Sequence, residues 1–348
     1  MTEQHSSAAA APAALAPDVQ VLQMALAPFI TQSLYVAAKL GIADLLADGS
    51  KTAAELAAAT DAHEYSLYRV LRALASVGVF TETGDRVFAN TSASETLRND
   101  APNSTRDFVM FIGEEPHWRN LGHTMYSVKT GKPAWEHVHG EPIFPYMFNT
   151  NKELGEIFNR AMISFSHQDI APVLSAYDFS DVGKLADIAG GYGHLLAAAL
   201  KKYPFMSGAL FELPQLIDGA RSFLESSGVA DRVEFVTGDF CKEIPVRADV
   251  YLLKHIIHDW YDDTNQKILT NIRENMPDDG RVLIIDAVVP SGNEPHLKKV
   301  LDIEMLIAPG GVERTAEEFE TLLNNSGFRL NRLISTNSPN DIVEAVKK

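Results

Sequence analysis

Acidic residues accompany three successive apolar segments in the second half of the chain. Asp187 lies in the first segment, Glu212 ends the second and Asp239 follows the third. The carboxyl ends of parallel strands meet at one edge of a sheet, so we expect these carboxylates to share a crevice. Each alone could be a solvated loop acid. Together they favour an adenosyl ligand without phosphates, because they would repel an anionic dinucleotide.

A glycine-rich turn follows Asp187, in residues 189–193. Glycine is needed where the backbone passes close to a nucleoside or adopts a positive φ. The third glycine of the dinucleotide fingerprint is absent, because Leu196 stands there, and so is the Gly-Lys-Ser/Thr of a phosphate loop. The glycines alone are equally consistent with a tight turn that binds no ligand. The acid that precedes them suits a ligand with a cationic amino-acid moiety.

Two histidines, His255 and His258, follow the fourth apolar segment. Histidine changes its charge near neutral pH, so at the carboxyl edge of a sheet it suits a general base. A lone histidine is more often packed in a core. His255, His258 and Asp259 also suggest a metal site, but the sequence offers no further ligand, and we expect none.

The segments that carry these residues alternate with helical patterns from about residue 183 onwards. The predicted strands are 184–189, 209–212, 232–236, 248–253, 281–288, 328–335 and 342–346. This alternation predicts an α/β fold with a mostly parallel sheet. Only residues 336–341 connect the last two strands, too few for a helical crossover, so these two should form an antiparallel hairpin.

The first hundred residues have a different pattern. Residues 1–17 are mostly Ala, Ser and Pro and predict a disordered tail. Residues 19–40 predict a helix with a wide apolar surface, which packs either on a second subunit or on its own domain. Short helices that include a capping box at Thr52 and Glu55, followed by a hairpin around residues 84–85, predict a winged helix.

A winged helix also raises the alternative of a DNA-binding regulator. Acidic residues outnumber basic ones between residues 51 and 100, and the whole chain carries 30 Lys and Arg against 46 Asp and Glu, a net charge of −16. Modules that bind the phosphate backbone are normally basic. We therefore expect a dimerisation element and no nucleic-acid partner.

Composition sets the remaining expectations. Cys241 is the only cysteine, which excludes an intramolecular disulfide and fits a reducing compartment. The first basic residue is Lys39, and no unbroken run of 18 apolar residues occurs, so neither a signal peptide nor a membrane span is expected. We expect a cytoplasmic protein with domains at 18–104 and 176–348. A helical linker at 105–175, rich in aromatic residues, would contribute to a substrate pocket.

From about residue 20 to its end, the chain resembles the S-adenosylmethionine-dependent O-methyltransferases of the plant caffeate and bacterial polyketide-tailoring type. The motifs that carry this resemblance are 187–193, 211–214, 238–240, 253–254, 258–260 and 310–315. The resemblance implies a winged-helix dimerisation domain before a Rossmann-like catalytic domain. It also implies S-adenosylmethionine as cofactor, S-adenosylhomocysteine as product, no metal, and a homodimer acting on a small hydroxylated acceptor.

The resemblance also implies a role for individual residues. His258 matches the general base of the family, with Asp286 and Glu313 as the acids that flank it. The implied cofactor-binding residues are Asp187, Gly191, Gly193, Glu212, Asp239, Phe240 and Lys254. The implied acceptor-binding residues are Met162 and Met305.

Two residues depart from the family pattern. Ala189 replaces the first glycine of the usual run of three, and we expect alanine to fit only with a negative φ. Asp286 stands where plant members often have Glu, one methylene longer. Because the base and both acids are present, methyl transfer is favoured over the hydroxylation or decarboxylation that a related enzyme could perform on the same cofactor.

Overall fold

The computed structural model describes residues 16–102 and 104–348, apart from the side chains of residues 165–167. Two compact units are present; the first ends at Gly113 and the second begins at Glu114. Residues 1–15 of the predicted tail lie outside the described residues. The first helix begins at Pro17, within the range predicted for that tail.

The first unit is a small helical domain with a three-stranded sheet. Its elements are α1 (Pro17–Lys39), α2 (Ile42–Leu45), β1 (Lys51–Thr52), α3 (Ala53–Thr60), α4 (Glu64–Ser76), β2 (Phe80–Gly84), β3 (Val87–Asn90), α5 (Ser92–Glu95) and α6 (Arg106–Gly113). The strand order is β1-β3-β2, with both pairs antiparallel. The hairpin and capping box agree with the predicted winged helix, and strand β1 was not predicted.

Local sequence explains how the helices of this unit begin and pack. The Thr52 hydroxyl accepts a hydrogen bond from the Glu55 N–H at 3.1 Å, while the Glu55 carboxylate accepts one from the Thr52 N–H at 2.7 Å. This capping box satisfies backbone donors that the first turn of α3 leaves free. On α4, Leu67, Leu71 and Leu74 are buried on one face, as their helical spacing predicts.

Helix α1 exposes much of its apolar surface within the first unit. Val21, Met24 and Phe29 are 65%, 65% and 70% exposed. The helix is also long and apolar enough to cross a membrane, although polar residues interrupt it and it contains no unbroken run of 18 apolar residues. Length and composition alone do not distinguish a membrane span from a helix that packs against a second protein surface.

The second unit carries a seven-stranded sheet and its covering helices. Its helices are α7 (Glu115–Leu121), α8 (Thr124–Thr130), α9 (Ala134–His139), α10 (Ile143–Pro145), α11 (Lys152–Ala176), α12 (His194–Lys202), α13 (Pro214–Ser226), α14 (Asp262–Asn275), α15 (Leu297–Ile307) and α16 (Ala316–Asn325), with a π-helical turn Tyr146–Thr150 and 3₁₀ turns Ala230–Arg232 and Ile257–Asp259. Its strands are β4 (Lys184–Ile188), β5 (Ser207–Glu212), β6 (Val233–Thr237), β7 (Val250–Lys254), β8 (Arg281–Asp286), β9 (Phe328–Ile334) and β10 (Asp341–Lys347).

The strand order is β6-β5-β4-β7-β8-β10-β9. The first five strands in this order are parallel, and β10 runs antiparallel to both β8 and β9. This confirms the predicted mostly parallel sheet with its final antiparallel hairpin. The order reverses between β4 and β7, so a crevice is expected at the carboxyl ends of these two strands.

Side chains alternate between the two faces of this sheet. Ala186 and Leu253 pack into the core on one face, while Leu185 and Leu252 pack into the core on the other. The sequence of a strand that is buried on both faces is a nearly continuous run of apolar residues, as it is in these strands. The rigid double-sided core holds the strand ends, and therefore the acidic residues on them, in fixed positions.

Candidate active site

The turn between β4 and α12 uses three left-handed residues. Ala189, Gly191 and Gly193 have φ values of 54°, 61° and 78°. The expectation of a negative φ at Ala189 was therefore wrong. The Ala189 N–H donates to the Phe211 carbonyl at 2.8 Å, which continues the pairing with β5 and holds the residue in this conformation. Alanine adopts it at a cost of about 1–2 kcal/mol.

Gly190 belongs to the predicted glycine-rich turn but had no predicted role of its own. A Cβ atom at this position would lie 2.3 Å from Cγ of Asp187 and 2.4 Å from its Oδ2. The backbone therefore approaches the Asp187 carboxyl more closely than any other residue type permits. At Gly191 an added Cβ would meet nothing within 4 Å, so only the positive φ calls for glycine there.

Asp187 and Glu212 are two buried carboxylates at the carboxyl ends of adjacent strands, with side chains only 2% and 5% exposed. Glu212 Oε2 accepts from the Gly191 N–H at 2.8 Å, and Oε1 accepts from the Leu213 N–H at 2.7 Å. Burial and the nearby Glu212 raise the pKa of Asp187 to about 7, although Lys254 acts in the opposite sense. Burial also raises the pKa of Glu212. Such a site favours a ligand that brings positive charge and hydroxyl donors.

The loop after β6 completes this side of the crevice. Asp239 is half-buried; its Oδ1 accepts from the Cys241 N–H at 2.9 Å, and its Oδ2 lies 3.4 Å from Lys242 Nζ. The Phe240 ring packs edge-on against Trp260 with their centroids 5.9 Å apart. Both residues thus lie beside the strand ends, as the sequence predicted.

Lys254 ends β7 on the other side of the strand-order reversal. Burial lowers the pKa of its ammonium group, while Asp169, Asp187 and Asp286 act in the opposite sense. The lysine is therefore an internal counter-charge for carboxylates on both sides of the crevice.

His258 lies in the 3₁₀ turn after β7, with its Nδ1 directed at two acids. Nδ1 is 3.2 Å from Asp286 Oδ1 and 3.5 Å from Glu313 Oε1, and Nε2 is 3.6 Å from Asp259 Oδ1. The aspartate at position 286 is therefore long enough to reach the imidazole. Burial lowers the pKa of His258, but the attraction of these carboxylates outweighs it and raises the pKa to about 9.

The two acids beside His258 differ in their surroundings. Asp286 ends β8 and is fully buried, and burial raises its pKa to about 6. Glu313 is also buried, but its contacts with His258 and with Lys298 Nζ, 3.0 Å away, lower its pKa to about 2. Its backbone N–H donates to Asp302 Oδ1 at 2.8 Å. Glu313 is therefore ionised and held by α15, and it precedes the cap of α16 at Thr315.

Arg314 and Gly311 hold the His258 turn in place, and neither residue had a predicted role of its own. The buried Arg314 guanidinium donates to the carbonyls of Ile257 and Trp260, each at 3.0 Å. An added Cβ at Gly311 would lie 1.8 Å from the His258 carbonyl oxygen. These contacts depend on tertiary packing, so local sequence does not predict them. The only sequence signal was that both residues lie in the motif 310–315.

A second histidine centre lies beside the first. His255 has a φ of 57° and lies at the end of β7. Its Nε2 is 2.8 Å from Asp169 Oδ2, while its Nδ1 is 3.8 Å from Asp286 Oδ1. Asn340 Nδ2 donates to both oxygens of Asp169 at 3.0 Å. Asp169 and Asn340 come from α11 and the β9–β10 loop, so no local pattern reveals them.

The helical segments of this unit carry aromatic rings and the two methionines singled out in the sequence. Phe144 packs edge-on against Phe158 and at a tilt against Trp260, with centroid distances of 6.2 and 5.8 Å. Met305 is buried on α15, and its carbonyl accepts from the N–H groups of Gly310 and Gly311. Met162 is half-buried on α11.

The sheet is Rossmann-like, and the buried carboxylates at its carboxyl edge suit a cationic nucleoside. Two sequence families match the chain: an O-methyltransferase domain over residues 118–329 and an O-methyltransferase dimerisation domain over residues 22–100. The chain belongs to the S-adenosylmethionine-dependent O-methyltransferase family. This confirms the resemblance seen in the sequence.

Individual relatives cover nearly the whole chain. It is 44% identical to the phenazine O-methyltransferase of Lysobacter antibioticus, over 93% of this chain and 95% of that one. It is 36% identical to the 8-amino-8-demethylriboflavin N,N-dimethyltransferase of Streptomyces davaonensis, over 85% of each. The crystal structure of a calicheamicin-biosynthesis methyltransferase with S-adenosylhomocysteine bound is similar at a TM-score of 0.84 and 36% identity, covering 95% of this chain and 98% of that one.

Proposed function

We propose that this enzyme transfers a methyl group to a hydroxyl of a small, flat aromatic acceptor, with His258 as the general base. The position of His258 carries this proposal: it lies at the carboxyl edge of the sheet with Nδ1 held between Asp286 and Glu313. Nε2 is then the nitrogen left to accept a proton from the acceptor. The same division of roles between the two imidazole nitrogens occurs in other acid–base sites.

The charge of the crevice fits S-adenosylmethionine. The buried Asp187 suits the cationic methionine portion, and Glu212 suits the ribose hydroxyls. The turn at Gly190 leaves no room for a side chain between the backbone and Asp187. When bound, S-adenosylmethionine supplies a methyl group on a sulfonium. The residues proposed to hold it are Asp187, Gly191, Gly193, Glu212, Asp239, Phe240 and Lys254.

His258 accepts the acceptor proton as the oxygen attacks. A phenol has a pKa near 10. The carboxylates raise the pKa of His258 to about 9, so its imidazole is neutral, and able to accept this proton, at a pH near or above that value. Asp286 and Glu313 then stabilise the imidazolium. General-base catalysis contributes about 10²–10⁴-fold in rate. Alignment of the oxygen with the methyl group and sulfur supplies the larger share, roughly 7–11 kcal/mol.

The acceptor pocket is proposed to lie between the helical segment and the His258 turn. The rings of Phe144 and Trp260 offer flat apolar faces, and Met162 and Met305 are proposed to clamp the acceptor ring. A phenazine O-methyltransferase among the relatives supports a flat acceptor. An N,N-dimethyltransferase of an aminoriboflavin makes an aromatic amine the second acceptor class to test.

The dimerisation-domain match and the exposed apolar face of α1 support a homodimer. We also propose the domain division predicted above and a cytoplasmic location. The acidic net charge supports a small-molecule partner rather than nucleic acid. Sedimentation of the purified protein at micromolar concentration as a monomer would contradict the dimer.

Calorimetric titration of S-adenosylmethionine tests the cofactor site. We expect the wild type to bind it and Glu212→Ala to lose most of this affinity, while Glu225→Ala, an exposed change on α13, keeps it. Failure of the wild type to bind would overturn the proposal.

A methyl-transfer screen on hydroxylated aromatics and aromatic amines, read by mass spectrometry, tests the reaction. His258→Ala should bind the cofactor normally and lose about 10²–10⁴-fold in turnover. Turnover that is insensitive to His258 would refute its role as the base. If only the aromatic amines are methylated, the proposal of a hydroxyl acceptor is overturned.

A further inference from the structure

Three potential metal-ligand atoms converge beside the His258 turn. His255, His258 and Asp286 each offer one nitrogen or oxygen, and these atoms all lie within 4.8 Å of one another. Asp286 Oδ1 is 3.2 Å from His258 Nδ1 and 3.8 Å from His255 Nδ1. A tetrahedral ion with bonds of 2.0–2.1 Å separates its ligands by about 3.3 Å. The two distances to Asp286 are close to this value, and the two histidine nitrogens, at most 4.8 Å apart, must move closer. The acid at this site is Asp286, where the sequence suggested Asp259.

The surroundings of His255 are those of a metal-ligating histidine. A carboxylate only accepts hydrogen bonds, so the 2.8 Å contact with Asp169 places the ring proton of His255 on Nε2. Asp169 is itself held by two hydrogen bonds from Asn340. Nδ1 of His255 is left with a lone pair on the side of Asp286. Carboxylate–histidine–metal triads orient and strengthen the ligand in this way.

Backbone and burial support the same assignment. His255 is one of the few non-glycine residues of the described chain with a positive φ, and such strain persists where it directs a side chain to a task. Among the described residues, neither oxygen of the fully buried Asp286 has a hydrogen-bond partner.

We propose that His255, His258 and Asp286 bind one divalent ion of the zinc type, and that this ion inhibits methyl transfer. Two imidazole nitrogens and one carboxylate suit Zn²⁺, Co²⁺ or Ni²⁺ rather than Mg²⁺ or Ca²⁺, which prefer oxygen ligands. The inhibitory part rests on the proposed function of His258. With the ion on Nδ1, the single proton of a neutral imidazole must lie on Nε2, which then has no lone pair for the acceptor proton.

Cobalt binding tests the site independently of catalysis. Metal-stripped protein is titrated with Co²⁺ and followed by its visible d–d absorption, and Zn²⁺ is then added to displace it. We expect one Co²⁺ per chain in the wild type. His255→Asn removes a ligand, and asparagine tolerates the left-handed backbone at this position. This variant should lose the bands, whereas His137→Ala, an exposed histidine on α9, should keep them.

A graded variant and an activity measurement complete the test. Asp169→Asn should weaken Co²⁺ binding by about 10–100-fold while circular dichroism shows the fold intact. Zn²⁺ should inhibit wild-type methyl transfer reversibly, with EDTA restoring it. Absence of Co²⁺ bands in the wild type, or equal bands in folded His255→Asn, would overturn the site. Equal Zn²⁺ inhibition of His255→Asn and wild type would overturn the inhibitory role. If no acceptor is methylated, the proposed function fails while the Co²⁺ result still decides the site.

Discussion

The glycine at position 190 gives a sharp test of how the cofactor turn is built. We predict that Gly190→Ala destabilises the protein and weakens S-adenosylmethionine binding. The new Cβ would lie 2.3–2.6 Å from the three atoms of the Asp187 carboxyl group. Ordinary carbon contacts are 3.5–4.0 Å, so the carboxyl group or the turn must move by roughly 1 Å.

The magnitude follows from that displacement. Overpacking of this kind costs about 1–3 kcal/mol of folding free energy. A carboxylate moved by 1 Å loses the hydrogen bond proposed between Asp187 and the cationic part of the cofactor, and such a bond is worth about 1.5–3 kcal/mol. The dissociation constant should therefore rise about 10–150-fold.

Two neighbouring substitutions separate steric clash from backbone strain. Gly191→Ala meets nothing within 4 Å and only forces alanine to a φ of 61°. It should cost about 1 kcal/mol and weaken cofactor binding less than Gly190→Ala. Ala189→Gly removes the strain already present and should stabilise by up to about 1 kcal/mol.

Urea unfolding gives the stabilities, and calorimetric titration with S-adenosylmethionine gives the affinities. Wild-type stability and affinity in Gly190→Ala would show that the Asp187 carboxyl group does not lie where the structure has it. A larger affinity loss in Gly191→Ala than in Gly190→Ala would refute the steric argument.

Three further perturbations test separate parts of the molecule. Because the pKa of Asp187 is about 7, S-adenosylmethionine affinity should rise with pH up to about 7 and then level off; calorimetry between pH 5.5 and 8 checks this, and a flat profile would contradict it. Burial raises the pKa of Glu344, but its hydrogen bonds, first of all with Arg332, outweigh burial and lower this pKa to about 2. The ionised Glu344 therefore stabilises the protein fully above the unfolded pKa of 4.5, and this stabilisation is lost as the pH falls towards 2. Glu344→Gln should therefore cost about 1–3 kcal/mol in urea unfolding at pH 7 and clearly less at pH 3; equal losses would count against this. Thr52→Ala breaks the capping box with Glu55 and should cost about 1 kcal/mol in thermal unfolding, and an unchanged midpoint would show that the box contributes nothing.

Local pattern was enough to predict the sheet and the closeness of two acids at its carboxyl edge. The strands are short apolar runs buried on both faces, and Asp187 and Glu212 lie on strands that pair directly. Their proximity therefore follows from the strand order alone. The order β8-β10-β9 was not predicted, because the sequence indicates a hairpin without indicating which of its strands joins the parallel sheet.

The conformation of Ala189 shows where residue preferences fail. Alanine disfavours a positive φ, so the sequence favoured a negative one, yet the hydrogen bond to Phe211 across to β5 decides the backbone. Tertiary context overrides local preference at such points, and these points cluster at functional sites. His255, the other left-handed residue at a strand end of this crevice, follows the same rule.

The histidine side of the site is assembled from distant segments. The resemblance implied Asp286 and Glu313 as partners of His258, whereas the partners of His255 were not predicted. His258 is paired with acids from β8 and from the loop before α16, while His255 is oriented by Asp169 on α11 and Asn340 near the end of the chain. Asp286 takes part in both proposals made for this side of the site. It is one of the carboxylates that raise the pKa of His258, and it completes the proposed set of two nitrogens and one oxygen for a divalent ion of the zinc type. Under these proposals, the same carboxylate that makes His258 a stronger base also makes it sensitive to a metal ion.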